Sequence, residues 1–132
     1  MESITTMTIV QIGVLLFLLI TFGISVIEKL IDWKGTILFI KENFKRTFIK
    51  AFISPLIIVL LFLEIVTCVL LIIGMYNLIF KETSQIAFLG CVFSALSVLY
   101  MLIGQRIAKD YVGATSLTVY FILITIGMFL LK

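Results

Sequence analysis

The stretch from Phe52 to Ile73 reads FISPLIIVLLFLEIVTCVLLII, and Glu64 is its only charged residue. A helix needs about 20 apolar residues to cross a hydrocarbon core of about 30 Å, and this stretch is long enough to do so. Three further apolar stretches cover residues 8–27, 86–103 and 116–131. The sequence therefore predicts an all-α membrane protein, an antiparallel bundle of four transmembrane helices that forms a single domain over residues 1–132.

The composition agrees with this prediction and limits the functions that the chain can have. Of its 132 residues, 63% are hydrophobic and 13% are charged, and the mean hydropathy is +1.33. A soluble domain is about 45–50% apolar and about 25% charged. The chain has no histidine, which is the commonest metal ligand and a frequent general base. It also lacks a glycine-rich phosphate loop and a nucleophile beside an evident base. We therefore expect no catalytic and no metal-binding residues, and an autonomous enzyme is the least favoured class.

The positions of the cations predict the orientation in the membrane. Eight of the ten Lys and Arg residues lie in the first and third predicted loops, whereas only Lys81 and Lys132 lie on the opposite side. Cytoplasmic loops are enriched in Lys and Arg, so both termini are predicted to be non-cytoplasmic. Since this asymmetry accounts for the net charge of +3, the charge does not indicate binding to nucleic acid. The expected partner is the lipid bilayer.

A short amphipathic helix is predicted in the first loop, over residues 33–48. Its apolar residues recur at helical spacing, at Ile37, Ile40, Phe44 and Phe48. Such a helix lies in the membrane interface and buries its apolar side in lipid. The alternative is a docking surface for a partner subunit. On its polar side, Glu42 and Arg46 are spaced to form an ion pair.

Glu64 is the residue that fits a membrane helix least well. A charged group at the centre of a span costs about 2.5–3.5 kcal/mol on insertion scales, so we expect Glu64 to face the interior of the bundle. At the same depth, the third span offers Cys91 and Ser94 as neighbours. Two interpretations stay open. Glu64 either has a function, in handling protons or in binding a cationic ligand or a quinone-like head group, or it ties two helices together through a hydrogen bond.

Small and sulfur-containing side chains cluster near this depth. One side of the third span carries small residues that let helices approach closely, namely Ala87, Gly90, Cys91, Ser94 and Ser97. Cys68 lies one turn beyond Glu64, so a thiol pair beside a buried carboxyl is one interpretation. Because the chain has no Cys-x-x-Cys motif and free cysteines are commonly buried, ordinary packing is favoured. On the first span, a second inward stripe is predicted at Thr21, Ser25 and Glu28.

The third loop has more polar residues than a simple turn requires. They are Gln105, Arg106, Lys109, Asp110 and Tyr111. If the helix continues past the membrane, Arg106 and Asp110 form an i,i+4 pair. A positive-inside turn accounts for Arg106 and Lys109, whereas Gln105 and Tyr111 go beyond what topology needs. We therefore predict a cytoplasmic polar site at this turn.

Three segments resemble the DoxX family of membrane proteins. They are GISVIEKL at 23–30, LEIVTCVLLIIG at 63–74 and QRIAKDY at 105–111. The resemblance implies a four-helix protein of the bacterial inner membrane that acts as an accessory subunit of a quinone-linked redox complex or of an oxidative-stress complex. It implies a quinone as the one candidate cofactor and no covalently bound group. Other subunits of the redox complex or further copies of the chain are the expected protein partners. The paired-cysteine motif of the related vitamin K epoxide reductase fold is missing.

Two other functions stay open. The chain could be a purely structural membrane partner, in which Glu64 affects stability alone. It could also be a small proton-coupled transporter that uses Glu64, as the small multidrug resistance proteins use their membrane carboxylate. Those proteins, however, carry the acid in the first span and lack a long amphipathic first loop.

Overall fold

The computed structural model describes residues 6–45, 50–81 and 83–131. Within these ranges it contains five α-helices and one 3-10 turn, at Lys50–Phe52. The helices are α1 (Thr6–Ile31), α2 (Trp33–Phe44), α3 (Ile53–Phe80), α4 (Gln85–Ile107) and α5 (Tyr111–Leu131). All but α2 are long and apolar enough to cross a membrane. The predicted all-α membrane fold is confirmed, since each of the four apolar stretches corresponds to one long helix.

The long helices extend beyond the apolar stretches, and side-chain caps mark two of the helix starts, those of α2 and α5. The sequence Asp-aromatic-x-Gly occurs at 32–35 and at 110–113, and it starts a helix each time. The Asp32 carboxylate accepts a hydrogen bond from the Gly35 N–H at 3.1 Å, and Asp110 accepts one from Gly113 at 3.0 Å. A Cβ on either glycine would overlap the capping carboxylate. The two turns are therefore built alike.

The buried residues of α3 follow alternating three- and four-residue steps. They are Ile53, Ile57, Leu60, Glu64, Thr67, Leu71, Gly74 and Leu78. This spacing is the seven-residue repeat with which helices pack side by side in left-handed bundles. Glu64 therefore occupies a regular position on the packing face of α3, in line with apolar neighbours.

The contact between α3 and α4 depends on small residues. All five predicted small residues of α4 are buried. A Cβ on Gly74 would lie 2.6 Å from the Cα of Ala87, and one on Gly90 would lie 3.1 Å from the Leu71 side chain. The predicted close approach of α4 to a neighbouring helix is confirmed, and its partner is α3.

Polar contacts join helix ends in the pattern expected of neighbours that run in opposite directions. The Gln11 amide and the Ser84 hydroxyl, near the starts of α1 and α4, donate to carbonyl oxygens at the end of α5, each at 2.7 Å. The Tyr100 hydroxyl, late in α4, donates to the Leu56 carbonyl oxygen, early in α3, at 2.7 Å. Large apolar side chains are exposed on the outer faces of all four long helices. Lipid covers such a surface in an integral membrane protein.

Helix α2 packs on the protein with the side that was expected to face lipid. Ile37 is buried against Ile53 and Ile57 of α3, and Ile40 and Phe44 lie against the same cluster. The predicted short helix is confirmed, but the expected lipid contact of this side is wrong, because an apolar stripe does not distinguish a lipid surface from an apolar protein surface.

The outer side of α2 carries Leu38 and Phe39, which are 68% and 69% exposed. Glu42 accepts a hydrogen bond from the Lys45 ammonium at 2.6 Å, and this contact holds the pKa of Glu42 below its usual range. The predicted partner Arg46, like Phe48, lies outside the described residues.

Candidate functional site

A buried ion pair joins α1 to α3. The side chain of Glu64 is fully buried, and the Lys29 ammonium nitrogen lies 3.0 Å from its Oε1 and 3.3 Å from its Oε2. The same ammonium donates to the Ser25 hydroxyl oxygen at 2.6 Å. Lys29 thus gives its hydrogen bonds to two acceptor groups inside the bundle. The buried carboxylate of Glu64 therefore has a cationic partner within the bundle.

The direction of the Lys29 side chain is unusual for its place in the fold. Lys29 lies in the last turn of α1, where a lysine normally extends its ammonium group toward water. Here, in contrast, the exposed fraction of the residue is only 9%. Attraction between the two charges at low dielectric offsets the loss of their hydration. Each charge therefore makes the burial of the other tolerable.

The predicted neighbours of Glu64 on α4 make other contacts. Helices α3 and α4 do pack together, but the hydroxyl of Ser94 donates to the Gly90 carbonyl oxygen of its own helix at 2.9 Å. Cys91 belongs to the apolar core, with Cys68 packed at its edge, and both are free thiols. The four predicted intramembrane residues therefore lie on the α3–α4 pair, and Glu64 forms its ion pair with α1.

Lys29 is not among the site residues predicted from the sequence. The predicted inward stripe of α1 is wrong at Glu28, which is exposed, while Thr21 donates to the Phe17 carbonyl oxygen. The signal was present in the spacing, since the inward side of α1 carries Leu15, Leu18, Phe22, Ser25 and Lys29 in three- and four-residue steps. In a helix that is apolar on all sides, hydropathy alone does not identify this register.

A large open pocket lies between the end of α1, α2, the start of α3 and the end of α4. Its volume is about 1040 Å³. We call it the interfacial pocket. Most of its wall is apolar, formed by residues such as Ile53, Ile57, Leu60 and Met101. Its polar lining residues are Ser25, Glu28, Lys29, Asp32, Thr36, Tyr100, Gln105 and Asp110.

Lys29 and Ser25 belong both to the wall of this pocket and to the buried polar cluster around Glu64. A molecule in the interfacial pocket can therefore contact a side chain that directly holds Glu64. Helix α2 forms part of the wall with Phe39 and Phe44. Its packing on α3 shapes the pocket.

The five residues of the predicted polar turn separate into two groups. Gln105 and Asp110 line the interfacial pocket, and the Asp110 N–H donates to the Gln105 carbonyl oxygen at 2.9 Å. The Arg106 guanidinium lies over the Tyr111 ring, 5.0 Å from its centre. Lys109 has a φ of 61°, in the left-handed region.

Because α4 ends at Ile107, the helix does not continue to Asp110 and the i,i+4 pair with Arg106 that it would allow is not formed. Asp110 instead caps α5. The polar site at this turn stays a prediction, and the contacts of its residues depend on a helix end that hydropathy does not reveal.

The fold and the site together define a four-helix integral membrane protein with an interfacial pocket and a buried Lys–Glu pair. Comparison of the chain with models of known protein families, with curated proteins and with solved structures finds no match. The DoxX resemblance therefore stays a prediction.

Proposed function

We propose that this chain is a DoxX-like accessory subunit of a redox complex in the bacterial inner membrane, and that its interfacial pocket receives the head group of a membrane quinone. The observation that carries the proposal is the double role of Lys29, which lines the pocket and pairs with the buried Glu64. A lipid-soluble molecule that enters the pocket meets a hydrogen-bond donor whose charge is coupled to a carboxylate inside the bundle.

The residues of the pocket fit a quinone. A quinone has a flat ring with two carbonyl acceptors and an apolar tail, and ligand pockets typically have about 300–1000 Å³. The ammonium of Lys29 and the amide of Gln105 can donate to carbonyl oxygens, and the apolar walls suit the tail. A bound quinone would supply two-electron, two-proton chemistry. The role of the chain's own residues is to bind and orient the head group, with Glu64 holding the Lys29 side chain in place.

Trp33 provides a direct test of quinone binding, because it is the only tryptophan of the chain. Its ring packs on the cluster of Ile53 and Ile57, which are wall residues of the pocket. A short-tailed benzoquinone added to the protein in lipid nanodiscs should quench Trp33 fluorescence in a saturable manner. Quenching that rises without saturation, as in simple partition into lipid, would contradict quinone binding.

Two glycine variants make this test specific to the pocket. Gly104 lines the pocket, so Gly104→Leu should fill part of it and weaken saturable quenching at least tenfold. A Cβ on Gly13 meets no atom within 4 Å, so Gly13→Leu is the matched control and should leave quenching unchanged. Equal effects of the two variants would mean that the quinone does not occupy the pocket.

The proposed place in a complex needs a second experiment. Purification in mild detergent should recover redox subunits with this chain, and Glu64→Gln should lower quinone-coupled activity while the complex stays assembled. Full activity of the Glu64→Gln complex, with only a change in stability, would favour the structural alternative. Proton-driven efflux from vesicles that contain this protein alone would favour the transporter.

A further inference from the structure

The interfacial pocket is lined by more acidic than basic residues. Among its described lining residues, Glu28, Asp32 and Asp110 are acidic and Lys29 alone is basic. The charge of Lys29 is already balanced by Glu64. The pocket therefore has an excess of negative charge, although the chain as a whole has a net charge of +3.

The acidic residues of the pocket all lie at or next to helix ends. Glu28 is in the last turn of α1, Asp32 caps α2 and Asp110 caps α5. The end of α1 and the starts of α2 and α5 lie on the side of the bundle that carries the predicted cytoplasmic loops, as does the end of α4. Deeper in the pocket, the wall is formed by apolar residues of α3 and α4 such as Leu60 and Met101. We call the part of the pocket between these helix ends its mouth; the mouth carries the acidic residues, and the wall farther along α3 and α4 is apolar.

Aromatic rings add to the preference for positive charge. Phe39, Phe44 and Tyr100 line the same pocket. The faces of aromatic rings attract ammonium groups, by about 0.5–2 kcal/mol according to how well the site is shielded from water. The hydroxyl of Tyr100 is held by the Leu56 carbonyl oxygen at 2.7 Å, so this ring is fixed in place. The lining therefore combines carboxylates with aromatic faces, as sites for organic cations do.

We propose that the interfacial pocket binds a single-chain amphiphile with a cationic head group, such as a long-chain alkylammonium. The alkyl chain lies between α2, α3 and α4, and the head group lies at the mouth beside Glu28, Asp32 and Asp110. This assignment rests on the pocket used in the proposed function, and it adds the charge class of the preferred ligand.

Brominated amphiphiles test the charge preference, since bromine quenches tryptophan at short range and Trp33 packs on the pocket wall. Three probes with one tail are added to nanodiscs below their micelle concentrations: bromoundecyl trimethylammonium, bromoundecyl sulfate and bromoundecanol. The cationic probe should quench Trp33 in a saturable manner, with an affinity about tenfold higher than that of the anionic probe. Equal affinities for the two charged probes would overturn the proposal.

The capping residues allow the charges to be removed without loss of the turns, because Asn caps a helix about as well as Asp. In the triple variant Glu28→Gln, Asp32→Asn and Asp110→Asn, the preference for the cationic probe should fall at least fivefold, while the affinity for bromoundecanol stays the same. An unchanged preference would overturn the proposal. The control Glu42→Gln, on the exposed side of α2, should leave all three affinities unchanged.

The outcomes separate this inference from the proposed function. If the benzoquinone binds in the pocket and the cationic probe shows no preference, the charge assignment fails and the quinone proposal stands. If the cationic probe is preferred and the benzoquinone does not saturate, the quinone proposal fails and the charge assignment stands.

Discussion

The contact between Lys29 and Glu64 makes each side chain depend on the other. Both residues are buried, with exposed fractions of 9% for Lys29 and 0% for Glu64. Removing one partner of a buried pair leaves an uncompensated charge, which typically costs about 3–5 kcal/mol, whereas replacing both by apolar residues is often neutral. The protein with both charged residues is therefore expected to be more stable than a variant that keeps only one of them. It is not expected to be more stable than a variant in which both are apolar.

The variant Lys29→Met tests this dependence. It should lower the free energy of unfolding by about 3 kcal/mol or more, because Glu64 stays buried without its cation. The double variant Lys29→Met/Glu64→Leu should recover most of that loss. Unfolding in mixed detergent micelles, followed by Trp33 fluorescence, measures both values.

Lys34→Met is the matched control for this experiment. Lys34 is exposed on α2, so its replacement should change the free energy of unfolding by less than about 0.5 kcal/mol. Equal losses in Lys29→Met and Lys34→Met would show that the buried pair contributes no specific stability.

The capping role of Asp110 gives a second prediction for a single residue. Asp110→Ala should lower the free energy of unfolding by about 1 kcal/mol, because the Gly113 N–H loses its acceptor. Asp110→Asn should stay within a few tenths of a kcal/mol of the original protein, since its side-chain oxygen can take the same bond. The same unfolding assay compares the two, and a loss as large in Asn as in Ala would contradict the capping role.

At the scale of helices, the sequence predicted which segments cross the membrane but not how each is rotated. The four spans and the small-residue face of α4 followed from hydropathy and residue size. The inward face of α1 did not, because apolar residues lie on all sides of that helix and hide the spacing that ends at Lys29. The partner of α2 was also hidden, since its stripe suits lipid and protein equally. Helix rotation is set by packing, which a single apolar sequence encodes weakly.

The α3–α4 contact provides a prediction for an element. Gly74→Val should destabilise the bundle by about 1–3 kcal/mol, because its side chain would overlap the backbone of Ala87. Gly13→Val introduces the same side chain where a Cβ meets no atom within 4 Å, and it is the matched control. Thermal unfolding in nanodiscs compares the two. A loss of stability no greater in Gly74→Val than in Gly13→Val would mean that these helices do not approach as closely as described.

In the whole molecule, the interfacial pocket forms where α1, α2, α3 and α4 meet at one end of the bundle. Helix α1 stops at Ile31, α2 packs against the start of α3, and α4 continues to Ile107. Asp32 and Asp110 mark helix starts at the edge of the pocket, but they do not show which helices meet there, so the site could be predicted only in part. Gln105 and Asp110 were expected at a polar turn, whereas the aromatic and aliphatic wall that faces them comes from distant parts of the chain.

Orientation in the membrane decides which side the mouth of the interfacial pocket faces, and thus where the proposed ligand would enter. The distribution of cations predicts that the turn at Lys109, and with it the mouth of the pocket, faces the cytoplasm, and that Lys81 faces outward. Single cysteines test this prediction in a background in which both native cysteines are replaced by alanine. In intact cells, Lys81→Cys should react with a membrane-impermeant maleimide, and Lys109→Cys should react only after the membrane is permeabilised.

Lys34→Cys serves as the control, since it lies on the same predicted side as Lys109 and is exposed on α2. It should follow Lys109→Cys in every condition. If the pattern is reversed, with Lys34→Cys and Lys109→Cys labelled in intact cells, the predicted orientation is wrong. The negative mouth of the pocket would then open to the outer face of the membrane, and its ligand would come from that side.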